Sequence, residues 1–299
     1  MSKNRRLHDG AVSFKSKILD KVPQLANEIE SLSFEGAPCL RVRTYRALVR
    51  VVGYFRYHAA SALVYRGQTM CFGKMKASLH RRSSAPPDAE VESFLRRFRT
   101  AMDVDRTAVS KLSTEALLQH YGLDTRWLDV VDSLPHALFF ACHDMCASPL
   151  LQGTQTFLPS LREYGFVYVL DVGHLRPVRR DRRTVIGYSR SSLGLKVVDL
   201  RALKPSNALR PHAQHGLLVS APSEAPDLWP HLVARVAVPV REARAWIAGD
   251  ATDRTSLFPP PVWDTFYGVM LSARMRDFLT EESKGRSWGD VLKFDFVQR

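Results

Sequence analysis

The stretch from Gln119 to Ala141 leaves the chain few choices, because it alternates polar chemistry with apolar anchors and carries its own stop and start signals. Gly122 can take the positive φ that closes a helix C-terminus, so it ends a helix read over Ser113 to Tyr121. Thr125 and Arg126 open a new path, and Trp127 and Leu128 return it to the core, which sets the Asp129 carboxylate just behind an apolar pair. A carboxylate so placed is subject to burial and to nearby charge. Asp132 or Ser133 can cap a second helix with Pro135 in its first turn and Ala137, Leu138, Phe140 and Ala141 on its buried side. The expectation is a polar turn held between two buried helices.

These residues resemble a known family. Gln119-His120-Tyr121-Gly122, Thr125-Arg126, Leu128-Asp129 and Ala137-Leu138-Phe139-Phe140-Ala141 resemble the core signature of the FRG domain. Upstream, Tyr65-Arg66-Gly67-Gln68 resembles its aromatic-Arg-Gly motif. Downstream, Arg210 with Gln214-His215-Gly216-Leu217 resembles its Arg and Gln-x-Gly block, and Ser256-Leu257-Phe258-Pro259 its Leu-Phe-Pro block. The chain departs from the family at Asp124, where Pro is usual, and at Val130-Val131, where Trp-Thr is usual.

Helix and strand signals interleave along the 299 residues, which predicts an α+β protein. The formal charge of +13, carried mainly by arginine, suits a phosphate-rich partner and equally a merely soluble surface. Four cysteines, Cys39, Cys71, Cys142 and Cys146, suggest no disulfide framework. With no apolar run long enough to span a bilayer and a polar, basic start, the expectation is a cytoplasmic protein without a membrane partner. Its oligomeric state is left open.

Residues 1–58 read as a basic arm (Lys3, Arg5, Arg6) and amphipathic helices packing on the core, and residues 59–299 as an FRG-like domain with a C-terminal helical extension. Ile18, Leu19, Val22, Leu25, Ile29 and Leu32 recur at helical spacing, with Pro23 starting a second helix. A helix over Arg43 to Ser61 buries Tyr45, Leu48, Val49, Val52, Phe55 and Ala59. Its other face shows Arg43, Arg46, Arg50, Tyr54 and Tyr57, either a nucleic-acid surface or a solvated helix back. Leu63-Val64-Tyr65 is a strand that delivers Arg66-Gly67-Gln68, and Glu90 to Met102 a helix with Arg96, Arg97 and Arg99 outward. Cys142 and Cys146 fall on one helix, with too few convergent ligands for a metal. Phe166 to Val172 reads as a central strand, Arg176 to Arg183 as an exposed loop with five arginines, and Leu195–Leu200, Leu217–Ser220 and Leu232–Val240 as further strands. Trp288 and Phe294 are expected to dock on the core.

Three polar clusters, Arg66-Gly67-Gln68, His120 to Asp129 and Arg210 to Gln214, each flank an apolar element and are expected to converge. The pattern resembles an ADP-ribosyltransferase fold with a split mixed sheet. That resemblance implies NAD or a related nucleotide as substrate, no metal, and a catalytic set of Arg66, Asp129 and Gln214. Arg66 would hold phosphate or ribose, and Asp129 would support the ribose or a nucleophile. Gln214 stands where active transferases usually carry Glu. Tyr65, Gly67, Gln68, His120, Tyr121, Thr125, Arg126 and Arg210 would bind substrate, the Gly67 backbone meeting the carboxamide. Breaking the nicotinamide glycosidic bond builds positive charge on the ribose, so an acceptor group must face that ring. FRG-like relatives imply a toxin or phage-defence setting. The competing class is a non-catalytic module that binds nucleic acid or a nucleotide. An Arg66–Asp129 ion pair without a ligand and a His120–Asp129 hydrolase are the remaining alternatives.

Overall fold

The computed structural model describes residues 11–34, 36–72, 74–81, 86–101, 111–147, 155–180, 183–202, 208–248 and 254–283. The basic arm, the loop after Arg81 through residue 85, Trp288 and Phe294 lie outside them. In chain order the elements are α1 (Ala11–Lys21), β1 (Ile29–Phe34), β2 (Ala37–Val42), α2 (Tyr45–His58), β3 (Leu63–Gln68), α3 (Asp88–Ala101), α4 (Lys111–Gln119), β4 (Leu128–Val131) and α5 (Leu134–Cys142). Then come β5 (His143–Ala147), β6 (Gln155–Pro159), β7 (Tyr164–Asp171), β8 (Leu175–Arg180), β9 (Arg183–Ser191), β10 (Lys196–Asp199), α6 (Leu209–Ala213) and β11 (Gly216–Ser220). The chain continues through β12 (Leu232–Pro239), α7 (Val240–Ile247), α8 (Arg254–Leu257), α9 (Thr265–Met270) and α10 (Ala273–Ser283).

The protein is α+β, built on one large mixed sheet in the order β1-β2-β12-β7-β3-β4-β11-β10-β9-β8, with β5 and β6 as a separate hairpin. β7 sits near its centre, and six consecutive residues, Gly165 to Leu170, are buried, as a strand covered on both faces requires. One face carries α2, α5 and α7, whose Leu48, Val51, Leu138, Ala141 and Ala243 share one hydrophobic cluster with Val167 and Val169. The other buries Phe166, Tyr168 and Leu170 with Val64, Leu128 and Leu228. α5 lies against strand backbone: a Cβ on Gly67 would stand 1.8 Å from the Ala137 carbonyl oxygen, and one on Gly165 2.0 Å from that of Ala141.

Several expectations change. The helix expected after Pro23 is a short turn leading into the β1–β2 hairpin, and β2 joins the sheet by parallel pairing with β12. Gly36, at φ 74, makes that hairpin turn. Ile29 and Leu32 satisfy a helical spacing, but pairing with the rest of the sheet outweighs that local preference. α2 buries Ala47 and Val51 while Val49 is exposed, a small rotation of the expected face, and Thr44 caps it through Ala47 N–H at 3.1 Å. In α5 it is Phe139, rather than Phe140, that is fully buried. Arg99 is buried rather than outward, and Arg97 forks onto Glu282 of α10. The turn after Gly122 leads into strand β4, so the polar stretch lies between a helix and a strand. Cys142 ends α5 while Cys146 lies on β5, on different elements. Arg176 and Arg179 belong to the edge strand β8 rather than to a loop.

β3 and β4 are sheet neighbours joined by a single register pair, Tyr65↔Val131. Elsewhere along their lengths they do not pair, and the strands part.

Candidate active site

A cavity of about 320 Å³ opens where β3 and β4 part. Its polar lining is formed by Arg66, Arg81, Gln119, His120, Asp124, Asp129 and Gln214, and its apolar lining includes Phe140, Met145, Phe157 and Phe258. Arg66, Asp129 and Gln214, far apart in sequence, therefore line one space.

Arg66 spans the parting. Its Nη1 donates to the Asp129 main-chain oxygen at 2.5 Å, capping a strand carbonyl that β3 does not pair, while its Nε is buried with no hydrogen-bond partner. Burial pushes this guanidinium below its ordinary range, against the opposing pull of Asp129. The Arg66–Asp129 contact thus runs to the backbone, leaving the carboxylate for other partners.

That carboxylate sits in a chain of hydrogen bonds whose donor directions are fixed by their end groups. Trp127 N–H donates to Thr125 Oγ1 at 3.2 Å, and the Thr125 hydroxyl donates to Gln119 Oε1. Gln119 Nε2 then donates to Asp129 Oδ2 at 2.9 Å. On the far side, Gln214 Nε2 donates to the Leu257 main-chain carbonyl at 3.0 Å. A carbonyl only accepts, so the amide nitrogen must face it and Gln214 Oε1 must face His120 Nδ1, 3.0 Å away. His120 therefore carries its proton on Nδ1. Burial pulls the imidazole below its usual range, outweighing Asp129 and Gln214, which favours the neutral ring with its lone pair on Nε2. Nε2 is buried without a hydrogen-bond partner, 3.5 Å from Asp129 Oδ1.

In the neutral form Nε2 and Asp129 Oδ1 are two acceptors side by side, an arrangement suited to receiving a donor. Gly216 makes room for the ring: a Cβ there would lie 2.7 Å from His120 Cε1 and 2.9 Å from Nε2. The apolar lining is aromatic, with Phe157 and Phe258 stacked at 4.2 Å and Phe140 edge-on to both. Phe157 and Met145 come from the β5–β6 hairpin, which forms one lip of the cavity.

Of the other residues expected to bind substrate, Tyr65 and Gly67 line the cavity and Thr125 braces Gln119 behind it. The missing Cβ of Gly67 is explained by α5 rather than by a ligand. Gln68 is half-buried outside the cavity lining. Tyr121 turns into the core beneath α9, where its hydroxyl donates to Asp264 Oδ2 at 2.8 Å. Asp264 also accepts from the amides of Leu209, Arg210 and Tyr267, which makes it the hub of that region. Arg210 is buried with its guanidinium 3.6 Å above the centre of the Tyr267 ring. Arg126 reaches away to Glu115, Glu92 and Asp88. These three side chains hold the scaffold instead of facing the cavity.

The basic face expected along α2 is partly neutralised, since Arg43, just before the helix, pairs with Glu30, and Arg46 pairs with Glu28. Arg50 and Tyr57 are exposed, and Tyr54 packs tilted against His58 with ring centroids 4.3 Å apart; none of these lines the cavity.

Gln119, Gly216 and Leu257 all lie within motif strings visible in the sequence, but their spacing says nothing of their partners. Arg81, Met145 and Phe157 carry no sequence signal. Among the described residues no group of three or more His, Cys, Asp or Glu side chains is placed to hold a metal ion, and no helix is long and apolar enough to cross a membrane.

No curated protein and no solved structure matches the chain. The segment that supplies Arg66, Gln119, His120, Thr125 and Asp129 is nonetheless identified: residues 61–149 match the family model of the FRG domain.

Proposed function

We propose that the cavity binds a nucleotide and that the protein is an enzyme of the ADP-ribosyltransferase type, cleaving the N-glycosidic bond of NAD or a related nucleotide. The observation that carries this reading is the Asp129 carboxylate beside His120 Nε2 in a cavity that two arginines and three phenylalanines also line. Phe140, Phe157 and Phe258 suit a planar base or nicotinamide ring. Arg66 and Arg81 supply positive charge for phosphate. As the C1′–N bond breaks, its electron pair leaves with the nicotinamide and the ribose becomes cationic, opposite the Asp129 carboxylate. His120 Nε2 then accepts the proton of the water or acceptor hydroxyl that attacks C1′.

Gln214 holds His120 in the tautomer this step needs, since both ends of its amide are engaged. It does not take the part of the transferase glutamate. Incubating the full chain with NAD and following nicotinamide release tests the reading. Release that disappears in Asp129→Asn supports it, and a chain that neither binds nor consumes NAD overturns it. The alternative of a nucleic-acid-binding module draws support from a separate basic surface on the outer strands of the sheet.

A further inference from the structure

The sheet ends in three strands with a marked charge imbalance. β8, β9 and β10 contain six basic residues and one acid, Asp199, which is paired with Arg201. The register sets Lys196 of β10 directly opposite Arg190 of β9, and Arg190 directly opposite Arg176 of β8. Directly paired residues point to the same side of a sheet, so the three cations form a row across the strands, spanning about 10 Å at the usual strand separation. All three are exposed, and none forms an ion pair among the described residues. Like charges directly opposite one another destabilise a sheet. Arg43 and Arg46, at the start of α2, show the contrast: each has its own glutamate, whereas this row has none among the described residues.

The row lies on the same side of the sheet as the cavity. Asp129 pairs with Leu218, Leu218 with Val198 and Val198 with Tyr188, and the cationic row is the next outward-facing row along the same strands, beginning at Ser220. Ala116 of α4 and Trp127 pack with Leu218, Val198 and Tyr188 of the inner row, while the cations stay in solvent.

We propose that the Lys196–Arg190–Arg176 row is a docking surface for the phosphodiester backbone of a nucleic acid. Charge complementarity argues for this occupant. A row of one sign, with no apolar or aromatic side chain in it, matches a polymer of regularly repeated single negative charges and has nothing to insert into a bilayer. Binding there is independent of sequence and stands whether or not the cavity acts on NAD.

The test is fluorescence anisotropy of the full chain with a labelled short oligouridylate over a range of salt concentrations, with phosphatidylserine vesicles in parallel. Replacing Arg176, Arg190 and Lys196 together with Gln should weaken oligonucleotide binding tenfold or more at low salt. It should also lower the slope of log K against log salt by about 2, roughly 0.7 for each phosphate left without its cation. The melting temperature should hold or rise, because the substitutions remove repulsion. Lys196→Gln alone should take about a third of the slope change, and Arg43→Gln with Arg46→Gln should leave binding unchanged. A triple variant that binds as tightly as the parent, an equal loss on changing Arg43 and Arg46, or binding to vesicles without binding to the oligonucleotide overturns the proposal.

Discussion

Asp129→Asn separates a catalytic carboxylate from a structural one, because the surrounding hydrogen bonds already suit an amide. Asp129 Oδ2 accepts from Gln119 Nε2, and an Asn oxygen in that place accepts equally well. Oδ1 lies 3.5 Å from His120 Nε2, a lone pair without a donor, and an Asn nitrogen there would supply one. The Arg66 contact runs to the main-chain oxygen and is untouched. The substitution thus exchanges a contact between two acceptors for a hydrogen bond, worth about 0.5–1.5 kcal/mol. At roughly 2–4 °C per kcal/mol for a chain of this size, the melting temperature should stay level or rise by a few degrees. The reaction should suffer, since an amide offers no charge to a ribosyl cation: a loss of two orders of magnitude corresponds to about 2.7 kcal/mol of transition-state stabilisation. Melting temperature by circular dichroism and nicotinamide release should be measured on the same preparation. A variant that melts several degrees lower, or that keeps its activity per folded molecule, refutes this account of Asp129.

Gln214→Leu strands the His120 Nδ1–H and the Leu257 carbonyl, which should cost roughly 2–4 kcal/mol in urea denaturation and abolish activity through loss of the tautomer. Gly216→Ala puts a methyl group against His120 at 2.7 Å, and the overpacking should cost about 1–3 kcal/mol and lower kcat more than it raises KM; a fully active variant would show that the ring position is immaterial. Stability should also depend on pH in a stated direction. Burial holds His120 below 6.5, so as pH falls through 6.5 the unfolded chain takes up a proton that the native state refuses, and stability declines until the lower native value is passed. The maximum slope is about 1.4 kcal/mol per pH unit for one group. His80, His143 and His231, lowered by burial as well, act in the same sense. His120→Asn, whose amide can still donate to Gln214, should therefore flatten the curve only in part.

The convergence of Arg66, Asp129 and Gln214 is legible in the sequence because each lies at the end of an apolar run, and runs such as Phe166 to Val172 announce a buried strand. The part each residue plays there is not legible. Gln214 looks like a weakened glutamate until the Leu257 carbonyl, 43 residues further on, is seen to fix its amide. Arg126 and Arg210 look like ligand-binding cations, and only the tertiary fold supplies Glu115, Glu92 and Asp88 to the one and the Tyr267 ring to the other. The β1–β2 hairpin is hidden because Leu25, Ile29 and Leu32 fit a helical period, and strand pairing is decided by β12, some 200 residues away in sequence. A helix read through Cys146 fails for the same kind of reason: the apolar run of α5 ends at Cys142, and His143 to Ala147 take their shape from pairing with β6.

The parting of β3 from β4 bears on where this chain can be cut. Both strands belong to the segment 61–149, yet they touch at one pair only and are held in place from outside, β3 by β7 and β4 by β11. A fragment trimmed to the matched segment would have two bare strand edges and no Leu257 to orient the amide of Gln214, itself missing. Recognisable sequence and autonomous unit are here different objects: the similarity marks where half of a site is written, and the remainder of the chain is its other half.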